Sequence, residues 1–315
     1  MKIIPIIVTY NRLNKLKQSL KAWFNEGFYK LIIVDNNSTD GTTEFLKSLS
    51  QKDKRVIHIK LPYNMGGAGG FYEGLNYAMK NIPEADWFVL QDDDAYPQSG
   101  TIKKFKESTP NPENCYTPAI YLPNGEISLM NIPGYFPNNN LKRILKGFFL
   151  GSKGLHLKPE NFQEKKIIEV DFASFVGFFI SPKVVKKVGL PKKEFFIYSD
   201  DVEYCLRLKK AGVKILFNPE LIFIHDTETL YQNKKIYKPI WKAYYVYRNG
   251  IFLYKEIFGP LFPFALSYRI VEWIKNGFYY DDKKNYYKTL FKAIKDGLSN
   301  NFSPKFPIEK DEKRF

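Results

Sequence analysis

Short apolar runs alternate with segments of helical periodicity over the first part of the chain. The apolar runs are Ile3 to Val8, Leu31 to Val34, Val56 to Ile59 and Trp87 to Leu90. After the first run, apolar side chains recur at the spacing of one helix face, at Leu13, Leu16, Leu20 and Trp23. Strands that alternate with helices in this way are typical of a mostly parallel sheet flanked by helices. The pattern therefore predicts an α/β fold.

The pattern becomes irregular after about residue 110. Residues 110–166 are rich in Pro, Asn and Gly. They include the hairpin-like Pro123-Asn124-Gly125 and a basic aromatic stretch from Lys142 to Phe149. Such a composition indicates turns and an irregular insertion.

Regular structure is expected again beyond this insertion. A strand-like run spans Ile167 to Ile180, and a helical pattern spans Asp201 to Lys210. From about Tyr231 the chain is aromatic, basic and helical. We therefore expect one α/β domain over residues 1–230 and a helical region over residues 231–315.

Charge and composition narrow the range of partners. The 315 residues are 44% hydrophobic, enough for a sizeable core, and they carry 48 Lys and Arg against 33 Asp and Glu. The net charge of +15 favours an anionic partner, such as a membrane surface, a phosphorylated lipid, a nucleotide or a nucleic acid. No signature of a nucleic-acid-binding module accompanies the charge, so nucleic acid is not expected.

Two further features bear on the cellular setting. Cys115 and Cys205 are the only cysteines and lie far apart in sequence, which implies neither a disulfide framework nor a cysteine metal site. This fits a reducing, cytoplasmic environment. The longest apolar stretch, about Ile251 to Ile274, is interrupted by charged residues and prolines, so no transmembrane segment is expected.

Polar clusters follow two of the predicted strands at the point where each strand ends. The first cluster is Asp35 to Gly41, and the second is Asp92-Asp93-Asp94. Open parallel sheets bind ligands at their carboxyl edge, where such loops converge. The first cluster would also form an ordinary Asx-type turn before a helix, and the second would also form a solvated acidic turn.

The triplet of carboxylates favours a metal. Adjacent ionised groups repel one another, and a hard divalent cation such as Mg²⁺ or Mn²⁺ is the usual compensation. In the extended backbone after a strand, Asp92 and Asp94 point to one side and Asp93 to the other. The sequence therefore favours Asp92 and Asp94 as the pair on the metal side.

Four motifs together resemble those of family 2 glycosyltransferases. They are Ile7 to Arg12, Val34 to Thr42, the Asp92-Asp93-Asp94 triplet and Ser199 to Arg207, in the order found in the family. The resemblance implies the GT-A fold, a Rossmann-like and mostly parallel sheet flanked by helices, here with a C-terminal helical extension. It also implies metal-dependent, inverting transfer of a sugar from a nucleotide diphosphate donor to an acceptor hydroxyl. Residues 1–100 would form the nucleotide-binding half and residues 101–230 the acceptor half.

The resemblance further implies roles for individual residues. Thr9 and Tyr10 would line the nucleotide pocket, and Asp35 would hydrogen-bond the base. Asp92 would lie near the ribose or the metal, and Asp94 would ligate a Mn²⁺ or Mg²⁺ ion that bridges the diphosphate. His225 would complete the metal site, although an isolated histidine is more often structural. The residues expected to bind the nucleotide sugar are thus Thr9, Tyr10, Arg12, Asp35, Asn64, Gly66, Asp92 and Asp93.

Asp201 matches the general base of the family. Inverting transfer needs one carboxylate to accept the proton of the attacking hydroxyl, whereas hydrolases typically flank the scissile bond with two. Asp200 and Asp201 open a predicted helix, so either would also serve as its cap. Many members of the family have Glu-Asp where this chain has Asp-Asp, so Asp201 and Asp200 are both candidate catalytic residues.

The Gly-rich segment Asn64 to Phe71 resembles a loop of galactofuranosyltransferases and rhamnosyltransferases. Its backbone is expected to approach a ligand at a helix N-terminus, and it lacks the spacing of the dinucleotide fingerprint. This subgroup implies UDP-galactofuranose or dTDP-rhamnose as donor and a lipid-linked glycan as acceptor, in cell-surface polysaccharide biosynthesis. We therefore expect a cytoplasmic enzyme, peripheral at the anionic inner face of the cell membrane.

Alternatives remain for the activity and for the C-terminal region. A nucleotidyltransferase would share the sheet and the metal, but it usually has a basic, Gly-rich phosphate loop after the first strand, where this chain has Thr9 to Arg12. A catalytically inactive sugar-nucleotide-binding module would not need its acidic residues and His225 intact. The residues after Tyr231 fit either a helical buttress or an interfacial helix on anionic lipid.

Overall fold

The computed structural model describes residues 1–137, 142–144, 147, 154–227 and 236–303. The chain divides into two compact units. The sheet unit comprises Met1–Tyr135, His156–Lys193 and Asp200–Leu230, and the helical unit comprises Phe136–Leu155, Glu194–Ser199 and Tyr231–Phe315. Two short stretches of the predicted domain 1–230 thus belong with the C-terminal helices. The division of that domain into nucleotide and acceptor halves stays a prediction.

A mixed sheet forms the centre of the sheet unit, with nine strands in the described residues. They are β1 (Ile3–Thr9), β2 (Leu31–Asp35), β3 (Val56–Lys60), β4 (Trp87–Asp92), β5 (Ala95–Pro97), β6 (Cys115–Tyr121), β7 (Ile168–Val170), β8 (Phe178–Ile180) and β9 (Ile215–His225). Their order is β3-β2-β1-β4-β8-β6-β9-β5, and β7 pairs with β9. The first four of these in the order are mutually parallel. The predicted α/β fold is therefore confirmed.

Helices cover the sheet and pack against it through two hydrophobic clusters. The helices are α1 (Leu13–Glu26), α2 (Thr42–Lys52), α3 (Gly66–Asn81), α4 (Thr101–Glu107), α5 (Glu160–Gln163), α6 (Pro182–Val188) and α7 (Asp200–Lys210). Ile4 and Ile6 of β1 belong to the cluster that includes Leu75 of α3, whereas Ile3 and Ile7 belong to the cluster that includes α1. β1 is thus buried on both faces, as expected of a central parallel strand.

Strand direction brings four strand ends to the same edge of the sheet. Thr9, Asp35 and Asp92 end the parallel strands β1, β2 and β4. β9 runs in the same direction as β4, because β8 is antiparallel to both β4 and β6 while β6 is parallel to β9. His225, the last residue of β9, therefore reaches the edge at which Asp92 lies.

The Gly-rich segment folds differently from the prediction. The sequence predicts a turn before a helix that begins at Phe71, but α3 already begins at Gly66. One glycine of this helix has a steric role, since a Cβ on Gly70 would lie only 2.3 Å from Val8 Cγ1 of β1. Glycine at this position lets α3 approach β1 closely, so part of the Gly-rich pattern serves packing.

The helical unit contains the long helices α8 (Trp241–Phe258), α9 (Phe262–Asn276) and α10 (Lys283–Leu298). They pack through an aromatic-rich cluster that includes Tyr247, Trp273 and Tyr286. Across the described part of the chain, no helix has the length and apolar character needed to cross a membrane. The basic aromatic stretch Lys142 to Phe149 falls mostly outside the described residues.

We predict that Gly70→Ala destabilises the protein by about 1–3 kcal/mol, because the added methyl group must displace Val8 or shift α3. Gly67→Ala is the matched control in the same helix. Its Cβ would meet nothing closer than Phe71 Cε2 at 4.0 Å, and alanine favours a helix over glycine by about 1 kcal/mol. Urea unfolding measures both variants. Equal stability of the two would contradict the packing role of Gly70.

Candidate functional site

Buried hydrogen bonds hold the backbone on either side of the Asp92-Asp93-Asp94 triplet. Gln91, the residue before it, is fully buried. Its Oε1 accepts a hydrogen bond of 2.8 Å from Trp23 Nε1, and its Nε2 donates one of 2.6 Å to Ala95 O. Gln91 thus links both ends of the triplet to α1. In the sequence, Gln91 directly follows the apolar run Trp87 to Leu90, and nothing there indicates this role.

The structure brings Asp92, Asp94 and His225 together, and we name them the Asp-Asp-His cluster. One ligand atom from each lies within 4.8 Å of the other two, and His225 Nε2 is 3.2 Å from Asp94 Oδ1. Backbone pairing fixes this arrangement, because Asp226 N–H donates a hydrogen bond of 2.8 Å to Asp94 O. The metal-ligand set that the sequence predicts is therefore assembled in space.

A buried asparagine orients the imidazole of His225. Asn131 Oδ1 lies 2.7 Å from His225 Nδ1. The amide of Asn131 is itself held, since Ser128 Oγ donates to its Oδ1 at 2.6 Å and its Nδ2 donates to Ser174 Oγ at 2.9 Å. An amide oxygen only accepts, so Nδ1 carries the proton and Nε2 presents its lone pair towards Asp94. Histidine ligands of metals commonly have such a partner on the other ring nitrogen.

The donor atoms of the Asp-Asp-His cluster fit a divalent cation. His225 Nε2 satisfies Asp94 Oδ1 only when the imidazole is protonated. With a neutral imidazole, this buried oxygen has no hydrogen-bond partner among the described residues, which is costly unless an ion or ligand binds it. Carboxylate oxygens suit Mg²⁺ and Mn²⁺, and an imidazole nitrogen suits transition metals. The cluster therefore has the donor set for Mn²⁺ or Mg²⁺.

The electrostatics of the cluster favour the same conclusion. Burial and the nearby charge of Asp94 raise the pKa of Asp92 to about 7. Burial alone would raise the pKa of Asp94, but its interactions with His225 and Arg12 together outweigh burial and lower that pKa. Burial would likewise lower the pKa of His225, and the interaction with Asp94 raises it instead. A bound cation would hold both carboxylates ionised and the imidazole neutral.

Asp93 points away from the cluster, towards the end of β1. Its Oδ2 accepts hydrogen bonds of 2.7 Å from Thr9 Oγ1 and 3.4 Å from Tyr10 N–H, and burial raises its pKa to about 6. Arg12 Nη1 lies 2.7 Å from Asp94 Oδ2 and 3.6 Å from Asp93 Oδ1. The buried Thr9 therefore supports Asp93 through this hydrogen bond. Arg12 offsets the negative charges of Asp93 and Asp94. The contacts predicted between these residues and a nucleotide sugar stay predictions.

Asp35 is enclosed by its own turn. Its side chain is fully buried, and its two oxygens accept hydrogen bonds of 2.8 Å from Ser38 N–H and 2.5 Å from Thr43 Oγ1. Burial alone would raise the pKa of Asp35, but contact with His58 and these hydrogen bonds outweigh burial and hold the pKa well below its usual value. Each oxygen can accept a further hydrogen bond, and the bond from Asp35 to a base stays a prediction.

Two asparagines fix the start of α3. Asn64 Oδ1 accepts a hydrogen bond of 2.8 Å from Gly66 N–H. Asn36 Oδ1 accepts one of 3.1 Å from Met65 N–H, and Asn36 Nδ2 donates one of 3.2 Å to Gly66 O. Asn36, which the sequence did not single out, thereby ties the carboxyl end of β2 to α3. Sugar-nucleotide binding by Asn64 and Gly66 stays a prediction.

Asp200 and Asp201 form the first turn of α7. Asp201 is half-buried, and its Oδ1 accepts a hydrogen bond of 2.7 Å from Val202 N–H, whereas Asp200 is buried. Burial raises the pKa of Asp201 to about 6. Burial also raises the pKa of Asp200 well above its usual value, and the charges of Asp201 and Asp92 add to this effect. At neutral pH, Asp201 is therefore the ionised and more accessible carboxylate of the pair.

Comparison with known proteins identifies the family to which these motifs belong. Residues 6–169 match the family described as Glycosyl transferase family 2. A dTDP-rhamnosyl transferase of Shigella flexneri is 24% identical over 82% of this chain and 82% of its own length. A galactofuranosyltransferase of Mycolicibacterium smegmatis is 24% identical over 88% of this chain and 89% of its own length. A GalNAc(5)-diNAcBac-PP-undecaprenol beta-1,3-glucosyltransferase of Campylobacter jejuni is 25% identical over 95% of this chain and 88% of its own length.

Solved structures have the same architecture. TarS of S. aureus has a TM-score of 0.56 at 13% identity, covering 96% of this chain and 82% of that chain. The mannosyltransferase PcManGT from Pyrobaculum calidifontis, solved with GDP-Man and Mn²⁺, has a TM-score of 0.50 at 12% identity, covering 97% of this chain and 76% of that chain. The predicted GT-A fold, with its central sheet, flanking helices and C-terminal helical region, is confirmed.

We predict that Asn131→Leu weakens Mn²⁺ binding by about 10-fold or more, because loss of the partner of a ligating histidine typically costs about 10- to 100-fold in metal affinity. Ser174→Ala is the matched control, since it removes a hydrogen bond to Asn131 but keeps the contact between Asn131 and His225. The EPR signal of free Mn²⁺ during a titration measures both affinities. Unchanged affinity in Asn131→Leu would show that Asn131 does not prepare His225 for a metal.

Proposed function

The chain belongs to glycosyl transferase family 2 and is a glycosyltransferase that takes its sugar from a nucleotide donor; we propose that it transfers this sugar with inversion and with a divalent cation. The observation that carries the proposal is the Asp-Asp-His cluster at the carboxyl edge of the sheet. Asp200, the neighbour of Asp201, is close enough to this cluster for the charge of Asp92 to raise its pKa. The family argues against a nucleotidyltransferase, and the intact acidic residues argue against an inactive module.

UDP-galactofuranose or dTDP-rhamnose is the donor that we propose. The relatives from Shigella flexneri and Mycolicibacterium smegmatis are named as a dTDP-rhamnosyl transferase and a galactofuranosyltransferase. Their matches extend over 82% and 88% of this chain, well beyond the shared motifs. The Gly-rich segment at the start of α3 is a second point of support, because it resembles the corresponding loop of that subgroup.

Asp92, Asp94 and His225 would hold the cation, Mn²⁺ or Mg²⁺. When bound, such a cation neutralises the donor diphosphate and stabilises it as a leaving group. Asn131 keeps the proton of His225 on Nδ1 and so leaves Nε2 available as a ligand. Arg12, which is half-exposed and contacts Asp94, is placed to exchange that carboxylate for a phosphate oxygen of the donor. The structure of PcManGT in complex with GDP-Man and Mn²⁺ supports this choice of ion.

Asp201 would act as the general base. Its carboxylate accepts the proton of the acceptor hydroxyl as that oxygen attacks the anomeric carbon. The bond between the sugar and the diphosphate breaks as the new glycosidic bond forms on the opposite face of the carbon, which inverts its configuration. A pKa of about 6 leaves Asp201 ionised at neutral pH and still basic enough to take the proton. Asp200, held protonated by burial, adds no second negative charge.

A lipid-linked glycan at an anionic membrane surface is the acceptor that we propose. The Campylobacter jejuni relative has PP-undecaprenol in its name. One face of α9 and its flanks is apolar and exposed, and we name it the apolar stripe: Leu261, Phe264, Tyr268, Val271, Ile274 and Phe278. Its members recur at three- and four-residue spacing, Lys275 lies among them, and the chain carries a charge of +15. Such a helix suits the interface of an anionic bilayer.

We predict that UDP or dTDP raises the melting temperature with Mn²⁺ and has little effect with EDTA. Without a cation the diphosphate would face the carboxylates of the triplet, and only a ligand that binds the folded state raises the midpoint. A panel of UDP, dTDP, GDP and ADP separates the donors, and Asp94→Asn should abolish the effect of Mn²⁺. Equal shifts with Mn²⁺ and EDTA would count against the metal, and a shift with GDP alone would count against both donors.

For the base, Asp201→Asn is expected to lower the rate of transfer by about 10²- to 10⁴-fold, the usual cost of a lost general base, with donor affinity nearly unchanged. Asp200→Asn is the matched variant and should do less, because burial already keeps Asp200 protonated. Steady-state kinetics with UDP-galactofuranose and dTDP-rhamnose measure both. A severe loss in Asp200→Asn together with a mild loss in Asp201→Asn would reverse the assignment.

The pH dependence of the same reaction gives an independent check on Asp201. Its raised pKa of about 6 means that the group is protonated at lower pH and ionised at higher pH. The transfer rate should therefore rise by about tenfold per pH unit on the acid side of this pKa and level off above it. In Asp201→Asn, the transfer rate should not show this rise with pH. A rate that falls as the pH rises through this range is incompatible with a general base.

At the membrane, the double variant Phe264→Glu with Val271→Glu is expected to weaken binding to anionic vesicles by about tenfold or more, since each buried apolar side chain contributes about 1.5–3 kcal/mol. Phe291→Glu is the matched control, because Phe291 is equally well exposed, at 59%, but lies on α10. Sedimentation with phosphatidylglycerol vesicles at low salt measures binding. If the full-length protein does not sediment, or if Phe291→Glu weakens binding as much, the apolar stripe is not the membrane face.

A further inference from the structure

Residues 194–199 run directly into Asp200 and Asp201, and we name them the lead-in segment. Three of its residues have a left-handed backbone, with φ of 66° at Phe196, 64° at Tyr198 and 66° at Ser199. This region is unfavourable for residues that carry a side chain. Such conformations persist where surrounding contacts determine them, and they concentrate at functional sites. The conformation of the lead-in segment therefore depends on contacts with its surroundings.

Asn249 of α8 supplies several of these contacts. Its Nδ2 lies 3.0 Å from Phe195 O, 3.0 Å from Ile197 O and 2.8 Å from Tyr198 O. The side chain is fully buried, so water does not compete for these carbonyl groups. One amide group thus gathers three backbone oxygens of the lead-in segment.

Arg248, the preceding residue, reaches the same segment. Its Nη2 donates hydrogen bonds of 2.9 Å to Glu194 O and 3.2 Å to Phe195 O, and its Nε donates one of 3.0 Å to Asn249 Oδ1. Arg248 is 1% exposed and forms no salt bridge with a carboxylate of the described chain. A buried guanidinium without an ion-pair partner is costly. The hydrogen bonds to the lead-in segment compensate for this burial, together with the rings of Tyr244, Tyr245 and Phe302, whose centroids lie 4.9–5.4 Å from Arg248 Cζ.

The helices of the helical unit also pack without this pair, since the aromatic cluster joins α8 to its neighbours through residues such as Tyr247 and Trp273. What Arg248 and Asn249 add to this packing is a set of hydrogen bonds to the carbonyl groups of one six-residue segment, which fix its backbone.

We infer that Arg248 and Asn249 are positioning residues of the transfer reaction. They hold the lead-in segment in its left-handed conformation and so fix the start of α7, where the carboxylate of Asp201 lies. This inference rests on the proposed role of Asp201 as general base. The predicted donor and metal residues lie on other strands, loops and helices than the lead-in segment and α7, so loss of the pair impairs the chemical step and leaves donor binding intact.

Asn249→Ala and Arg248→Met test the inference in the full-length protein. Tyr247→Phe is the matched control. Tyr247 also lies on α8, and its substitution removes a buried hydrogen bond of 2.8 Å to Tyr286 without changing a hydrogen bond to the lead-in segment. Hydrogen exchange of the amides of residues 194–203 and the kcat and KM for the donor are measured for each variant. Both test variants should exchange faster at the lead-in segment and lose about 10²-fold in kcat, as misplaced catalytic groups do, with the donor KM within about twofold.

Three results would decide against the inference or its premise. If the amides of the lead-in segment exchange in Asn249→Ala at the same rate as in the wild-type protein, Asn249 does not hold the segment. A kcat no lower than that of Tyr247→Phe, despite faster exchange, would show that the segment does not position the base. Absence of transfer by the unaltered protein with either donor would instead overturn the proposed function, and the role of the pair in transfer would fall with it.

Discussion

Two carboxylates that repel each other lie at the edge where the parallel strands end, and the rest of the site depends on keeping them there. Asp92 and Asp94 share this edge with the imidazole of His225, within 4.8 Å. Like charges at this spacing destabilise each other unless a positive charge lies beside them. Arg12 supplies one such charge, and a divalent cation would supply two. The buried hydrogen bonds of Gln91 to Trp23 and Ala95 hold the backbone on either side of the triplet and so oppose the repulsion between the carboxylates.

The sequence predicts the parts of this arrangement that local rules govern. Apolar runs that end in polar residues predict β1, β2 and β4, because burial of a strand and exposure of its end are properties of a few neighbouring residues. The separation of Asp92 and Asp94 from Asp93 follows from side-chain alternation in extended backbone. The proximity of His225 to these carboxylates has no local signal and entered only through the resemblance to a family.

Contacts between distant residues lie beyond such rules. Asn131 is 94 residues from the histidine that it orients, and it comes from a Pro- and Asn-rich stretch with no periodic pattern. Asn249 is more than 50 residues from the carbonyl groups that it holds. The Gly-rich segment shows a second limit, because the same glycines suit a ligand-binding turn and a helix pressed against a strand. The position of Val8 beside Gly70 assigns that one glycine to packing against β1.

The central claim is that Asp92, Asp94 and His225 hold one divalent cation together with the donor diphosphate. Anomalous diffraction at the manganese edge, from crystals grown with Mn²⁺ and UDP, tests it most directly. The account predicts a single anomalous peak within coordination distance of Asp94, His225 and the diphosphate oxygens, with Arg12 moved off Asp94, and no such peak from crystals of Asp94→Asn. A nucleotide bound at this edge with the side chain of Arg12 still on Asp94 and no manganese peak would contradict the account.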